Sequence, residues 1–94
     1  MPIRILEVRK PRHHSCAAEV KLELALDGHS ITLDDVRVLP GRRGDYWVAL
    51  PAYSVSNGSR DYRYYPSVTL SGGLMGETEE AVLTAFEDWK KTQA

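Results

Sequence analysis

Long apolar runs are missing from this 94-residue chain: none approaches the roughly 18 residues that a membrane-spanning helix needs. No charged-then-apolar leader opens it either. Cysteine is nearly absent, and Cys16 alone cannot make an internal disulfide. Together these absences predict a cytoplasmic protein without membrane contact. Excess charge is missing too. The net charge of −1 exerts no global pull on a polyanion.

Catalytic signatures are equally scarce. Ser15, Ser30, Ser54 and Ser56 lie in no G-x-S-x-G elbow. Asp34 and Asp35 are adjacent, and neighbouring strand residues point to opposite faces, so they do not form a carboxylate pair. Gly72, Gly73 and Gly76 are followed by no Gly-Lys-Ser/Thr, which excludes a phosphate loop. His13, His14 and Cys16 lie close together, but no second Cys/His pair completes a zinc set, so a loop explains them more simply. No enzyme, cofactor, metal or small-molecule substrate is expected.

What is present is a strand pattern. Ninety-four residues make one domain, and a chain this short buries only about two-thirds of its surface, so self-association would supplement the core. Val20, Leu22, Leu24 and Leu26 alternate with Lys21, Glu23 and Ala25, a half-buried strand. Asp27-Gly28 follows, a strong signal for a tight hairpin turn. A two-residue turn pairs Leu26 with His29, Leu24 with Ile31 and Leu22 with Leu33, putting Leu22, Leu24, Ile31 and Leu33 toward the core. The apolar phase then slips to Val36 and Val38. One extra residue at Asp34-Asp35, a β-bulge, restores it by placing Val36 opposite Val20; otherwise Leu33 points outward.

Ile3 to Lys10 reads as an opening strand. Residues 44 to 50 read as another, with Tyr46, Val48 and Leu50 on one face and Trp47 and Ala49 on the other. Pro51 stops it and a polar loop follows. Tyr62 to Leu70 supplies a fifth strand, bent or interrupted at Pro66, and Ser71-Gly72-Gly73 forms a flexible joint. The period then changes: Val82, Ala85, Phe86 and Trp89 recur at helical spacing, predicting burial of Val82, Phe86 and Trp89. Early glutamates and Lys90-Lys91 suit the helix dipole. The fold class expected is α+β: an antiparallel meander of four to five strands with one C-terminal helix, in a single domain over residues 1–94.

Charge is unevenly spread. Residues 1 to 66 hold ten Lys/Arg against eight Asp/Glu, whereas residues 67 to 94 hold two against five. Basic clusters fall at Arg9, Lys10 and Arg12, at Arg42 and Arg43, and at Arg60 and Arg63. Tyr62, Tyr64 and Tyr65 interleave with the last pair. Cations for phosphates and rings for bases are what a single-stranded nucleic-acid platform uses. A solvated strand with its tyrosines packed on one side reads the same residues more simply.

One order of motifs goes further. Asp35-Val36-Arg37-Val38-Leu39-Pro40-Gly41, then Gly44-Asp45-Tyr46-Trp47-Val48-Ala49-Leu50-Pro51, then Arg60-Asp61 and Pro66, and the helical Ala81-Val82-Leu83, run in sequence. The chain resembles the SpoVG (septation, or stage V sporulation protein G) family of small bacterial regulators from about Ile3 to Trp89. The family core reads roughly D-I-R-V-I-x-G, G-x-F-V-A-M-P-S, R-D-I-x-H-P. The resemblance implies a homodimer on a mostly antiparallel sheet, binding DNA or RNA, with a regulatory role in septation, sporulation or virulence. Three departures stand out. Ala52-Tyr53-Ser54 follows Pro51 where the family carries Lys-Arg, and Tyr65 replaces a histidine. Glu77, Glu79 and Glu80 occupy a region the family makes basic. The nucleic-acid surface expected is therefore Arg42, Arg43, Arg60 and Arg63 with Tyr62 and Tyr64, assisted by Arg9, Lys10 and Arg12, and excluding the acidic helix. The alternative is a protein-interaction module on the same fold that has lost nucleic-acid binding.

Overall fold

A computed structural model describes residues 3–12, 15–26, 28–56 and 62–93, with residues 26, 52–56 and 62–66 described by backbone alone. Six strands precede one helix: β1 (Ile3–Arg9), β2 (Ala18–Leu26), β3 (His29–Pro40), β4 (Tyr46–Ala49), β5 (Ala52–Ser56), β6 (Tyr62–Pro66) and α1 (Gly73–Thr92). The first four form an antiparallel sheet in the order β1-β2-β3-β4, a meander with α1 packed against it. The fold is α+β. No helix among the described residues is long and apolar enough to cross a membrane.

The β2–β3 hairpin has the register that alternation predicts. Leu26 pairs with His29, Leu24 with Ile31 and Leu22 with Leu33; beyond a shift, Val20 pairs with Val36. Lys21 alone lies between the last two β2 positions, while Asp34 and Asp35 lie between their partners, so the bulge is where the phase slip required it. Gly28 has φ 80°, the left-handed conformation that glycine adopts without a Cβ penalty. Asp27 lies outside the described residues.

Ala18, Val20, Leu22, Leu24, Leu33, Val36, Val38 and Val48 make one buried cluster with Val82 and Phe86 of the helix. The helix crosses the sheet, meeting β1, β3 and β4. Thr78 is buried on its inner side without penalty, because its hydroxyl donates to the Leu74 carbonyl at 2.7 Å. Tyr46 meets the Phe86 ring edge-on at 4.7 Å between centroids, and the Lys90 ammonium lies 4.8 Å over the Tyr46 ring.

Several expectations need correction. Ile31 pairs with Leu24 yet stays 49% exposed. β4 pairs only with Arg37–Pro40, so on the side away from β2 the first half of β3 has no strand beside it among the described residues. Trp89 is partly buried against the cluster rather than enclosed. The helix starts at Gly73, inside the expected joint, and its first turn holds no acidic residue; Glu77, Glu79 and Glu80 come later. The segment after Pro51 is strand β5 rather than a loop. It pairs with β6 in a second, two-stranded sheet, with Ala52 opposite Pro66 and Ser56 opposite Tyr62. The fifth strand expected at Tyr62 to Leu70 therefore ends at Pro66 and does not extend the main meander.

Candidate nucleic-acid interface

Among the described residues, the expected basic side chains divide into those paired with carboxylates and those without a partner. Arg9, Glu19 and Arg37 occupy successive positions across β1, β2 and β3, on the side of the sheet away from the helix. Glu19 is only 1% exposed, and its surroundings explain how a carboxylate tolerates that. The Arg12 backbone N–H donates to Oε2 at 2.7 Å, while Arg12 Nε and Nη2 and Arg9 Nη2 donate to Oε1 at 3.2–3.3 Å. The Arg12 backbone bond, helped by the two guanidinium groups, outweighs burial and holds the Glu19 carboxyl below its ordinary range.

Arg9 also donates to the Asp34 carboxylate at 3.2 Å and to the Asp34 carbonyl at 3.0 Å. Asp34 belongs to the bulge, which frees a backbone acceptor from the ladder. Burial disfavours the charged guanidinium, but Asp34 and Glu19 more than compensate and raise its pKa. Arg9 and Arg12 thus clamp the β1–β2 loop onto the sheet. Arg37 is likewise held by the Asp35 carboxylate, at 3.3 and 3.4 Å. Of the N-terminal cluster, Lys10 is exposed and has no ion pair among the described residues.

Arg42 and Arg43 sit at the tip of the β3–β4 hairpin, both exposed and without an ion pair among the described residues. The turn that carries them is built closely. The Gly41 N–H donates to the Asp45 carbonyl at 2.6 Å, and the Gly44 N–H donates to the Gly41 carbonyl at 3.4 Å. Gly44 has φ 83°. A Cβ at Gly41 would collide with the Asp45 carboxylate.

Beside this turn lies a residue absent from the expected surface. Trp47 pairs with Leu39, one step beyond the Pro40–Tyr46 pair that closes the turn. Its neighbour Val48 is buried under the helix, so Trp47 projects from the opposite side, where it is 53% exposed. The alternation of β4 already places it there; the step that sequence reasoning missed is that an outward indole next to two arginines belongs to the same surface.

Tyr62, Arg63 and Tyr64 lie on β6, opposite Ser56, Val55 and Ser54. They belong to a different sheet from the Arg42-Arg43 turn. Arg60, His13 and His14 lie outside the described residues, as do the side chains of Tyr62, Arg63 and Tyr64. Cys16 is buried, and no metal-binding group of three occurs among the described residues. Glu77, Glu79 and Glu80 are exposed on the helix, where they repel phosphate. The chain matches no family model, no curated protein and no solved structure.

Proposed function

We propose that this chain is a small cytoplasmic SpoVG-like regulator that works as a homodimer and binds DNA or RNA, in septation- or sporulation-type gene control. The observation that carries the reading is the β3–β4 turn: Arg42 and Arg43 stand exposed at its tip, with no carboxylate partner among the described residues. They lie inside the stretch from Asp35 to Pro51 on which the family resemblance rests. Dimerisation is supported by the size of the core and by sheet edges at β1 and β4 that a second copy would cover.

A second reading has its own support. Arg9 and Arg12 of the expected basic surface are ion-paired with Glu19 and Asp34, and Arg37 beside them with Asp35, which makes the N-terminal cluster less available to phosphates. That favours a protein-interaction module of the same fold. Titrating DNA and RNA at several salt concentrations separates the two. A binder weakens as salt rises, and Arg42→Gln/Arg43→Gln flattens the log–log slope by about 0.7–0.9 for each phosphate that is no longer neutralised. Absence of salt-dependent binding by the parent would remove the first reading and leave the interaction module.

A further inference from the structure

We propose that Trp47 is a base-stacking platform, which makes the Arg42-Arg43 surface selective for single-stranded nucleic acid; this deepens, and rests on, the reading of the chain as a nucleic-acid binder. Trp47 is the most exposed of the large apolar side chains among the described residues, at 53%, and it projects from the sheet face away from the helix. A flat indole there presents a π-face to anything that can lie on it. Bases in a duplex have their own faces covered by the stack, whereas an unpaired base can lie flat on the ring.

Charge points the same way. Duplex binding relies on neutralising several phosphates. Here Arg9, Arg12 and Arg37 are already paired, and Lys10, Arg42 and Arg43 are exposed without partners among the described residues. With Arg9, Arg12 and Arg37 paired among the described residues, stacking supplies affinity that needs no further cation. Geometry places the two contributions side by side. Trp47 is one residue step from the pair that closes the arginine turn. Its diagonal neighbour across the strand pair is Arg37, since Arg37 pairs with Ala49 and Leu39 with Trp47. An extended strand with its phosphates at the turn can lay a base on the indole between them. The acidic helix lies on the other side of the sheet and does not oppose it.

The test uses the full chain with a twelve-nucleotide oligothymidylate, and with the same strand annealed to its complement. The parent should bind the single strand on the order of tenfold more tightly than the duplex, with quenching of tryptophan emission. Trp47→Ala should weaken single-strand binding by about tenfold and leave the salt slope unchanged, because the arginines are intact. Trp47→Phe, which keeps a ring, should retain most of the affinity while losing most of the quenching. Equal or tighter duplex binding would overturn the inference but leave nucleic-acid binding standing. Unchanged single-strand affinity in Trp47→Ala would do the same. Dissociation of a dimer by Trp47→Ala would assign this face to a second copy and overturn the stacking role. Failure of the parent to bind either probe at low salt would remove the underlying reading as well.

Discussion

The two sides of the four-stranded sheet are made by the same strands, residue by alternate residue, yet they are closed by opposite chemistry. On one side, valines and leucines from β2 and β3 meet Val82 and Phe86 of the helix in a continuous apolar cluster. On the other, the row Arg9–Glu19–Arg37 is closed by charge, with Glu19 at 1% exposure under two guanidinium groups and the Arg12 backbone. The apolar side is stabilised by area removed from water and has no direction. The polar side depends on individual donors reaching one carboxylate, and it stops short of Trp47. The helix covers most of one sheet face and leaves Ile31 near the turn half exposed, whereas a short loop anchored on one glutamate covers only the β1–β2 end of the other. What remains open is the β3–β4 end, where the candidate interface lies.

The comparison breaks most readily at Phe86. This side chain is 1% exposed and touches both the sheet cluster and Tyr46. Phe86→Ala should destabilise the fold by about 3–5 kcal/mol, as large-to-small changes in packed cores do. Urea denaturation measures this directly. A loss below about 1 kcal/mol would mean that the helix is not what closes the apolar side.

Much of that apolar side is legible in the sequence. Alternation on either side of Asp27-Gly28 sets the hairpin register, and the slip at Asp34-Asp35 locates the bulge without any structure. Ile31 is misjudged because alternation places it on the face of Leu33 but does not encode how far toward the turn that face is covered. β5 is hidden by Pro51 and by its serines, Ser54 and Ser56, although Tyr53 and Val55 alternate with them. The polar side is harder to read. Glu19 sits where alternation puts a solvated residue, and its burial follows from a loop of low periodicity folding back through the Arg12 N–H. The available signal is charge: two arginines upstream of a glutamate that β1–β2 pairing would bring together. Trp47 is legible as outward-facing, but its place beside the arginine turn needs the closed β3–β4 pairing.

The next effect tests the polar closure. Glu19→Ala should cost about 2–3 kcal/mol at neutral pH, since it removes hydrogen bonds to charged donors and leaves Arg9 partly buried. The pH dependence gives the sharper check. The folded-state carboxyl is held below its ordinary value of about 4.3, so its contribution is fully present above that pH. It is lost as the pH falls through the lower folded value. The stability gap between parent and Glu19→Gln should therefore narrow as the pH falls below the ordinary carboxylate range, and be widest near neutrality. A gap that stays constant over that range would show that the carboxylate charge contributes nothing, and that Glu19 serves only as a spacer.

The smallest expected effect is the most direct measure of how open the second side is. Trp47 and Phe86 are both aromatic, both on elements of the same sheet–helix unit, and differ in exposure by 53% against 1%. Trp47 keeps a cross-strand partner in Leu39, a kind of pair that contributes roughly 0.2–1 kcal/mol. Trp47→Ala should accordingly cost less than about 1 kcal/mol, several-fold less than Phe86→Ala, although it removes the larger side chain. The comparison should be made at two protein concentrations. If Trp47→Ala destabilises as much as Phe86→Ala, and the loss changes with concentration, the indole is covered in solution by a second copy, because only association makes stability depend on protomer concentration. A small, concentration-independent loss leaves the ring facing solvent beside Arg42 and Arg43, where an unpaired base can reach it.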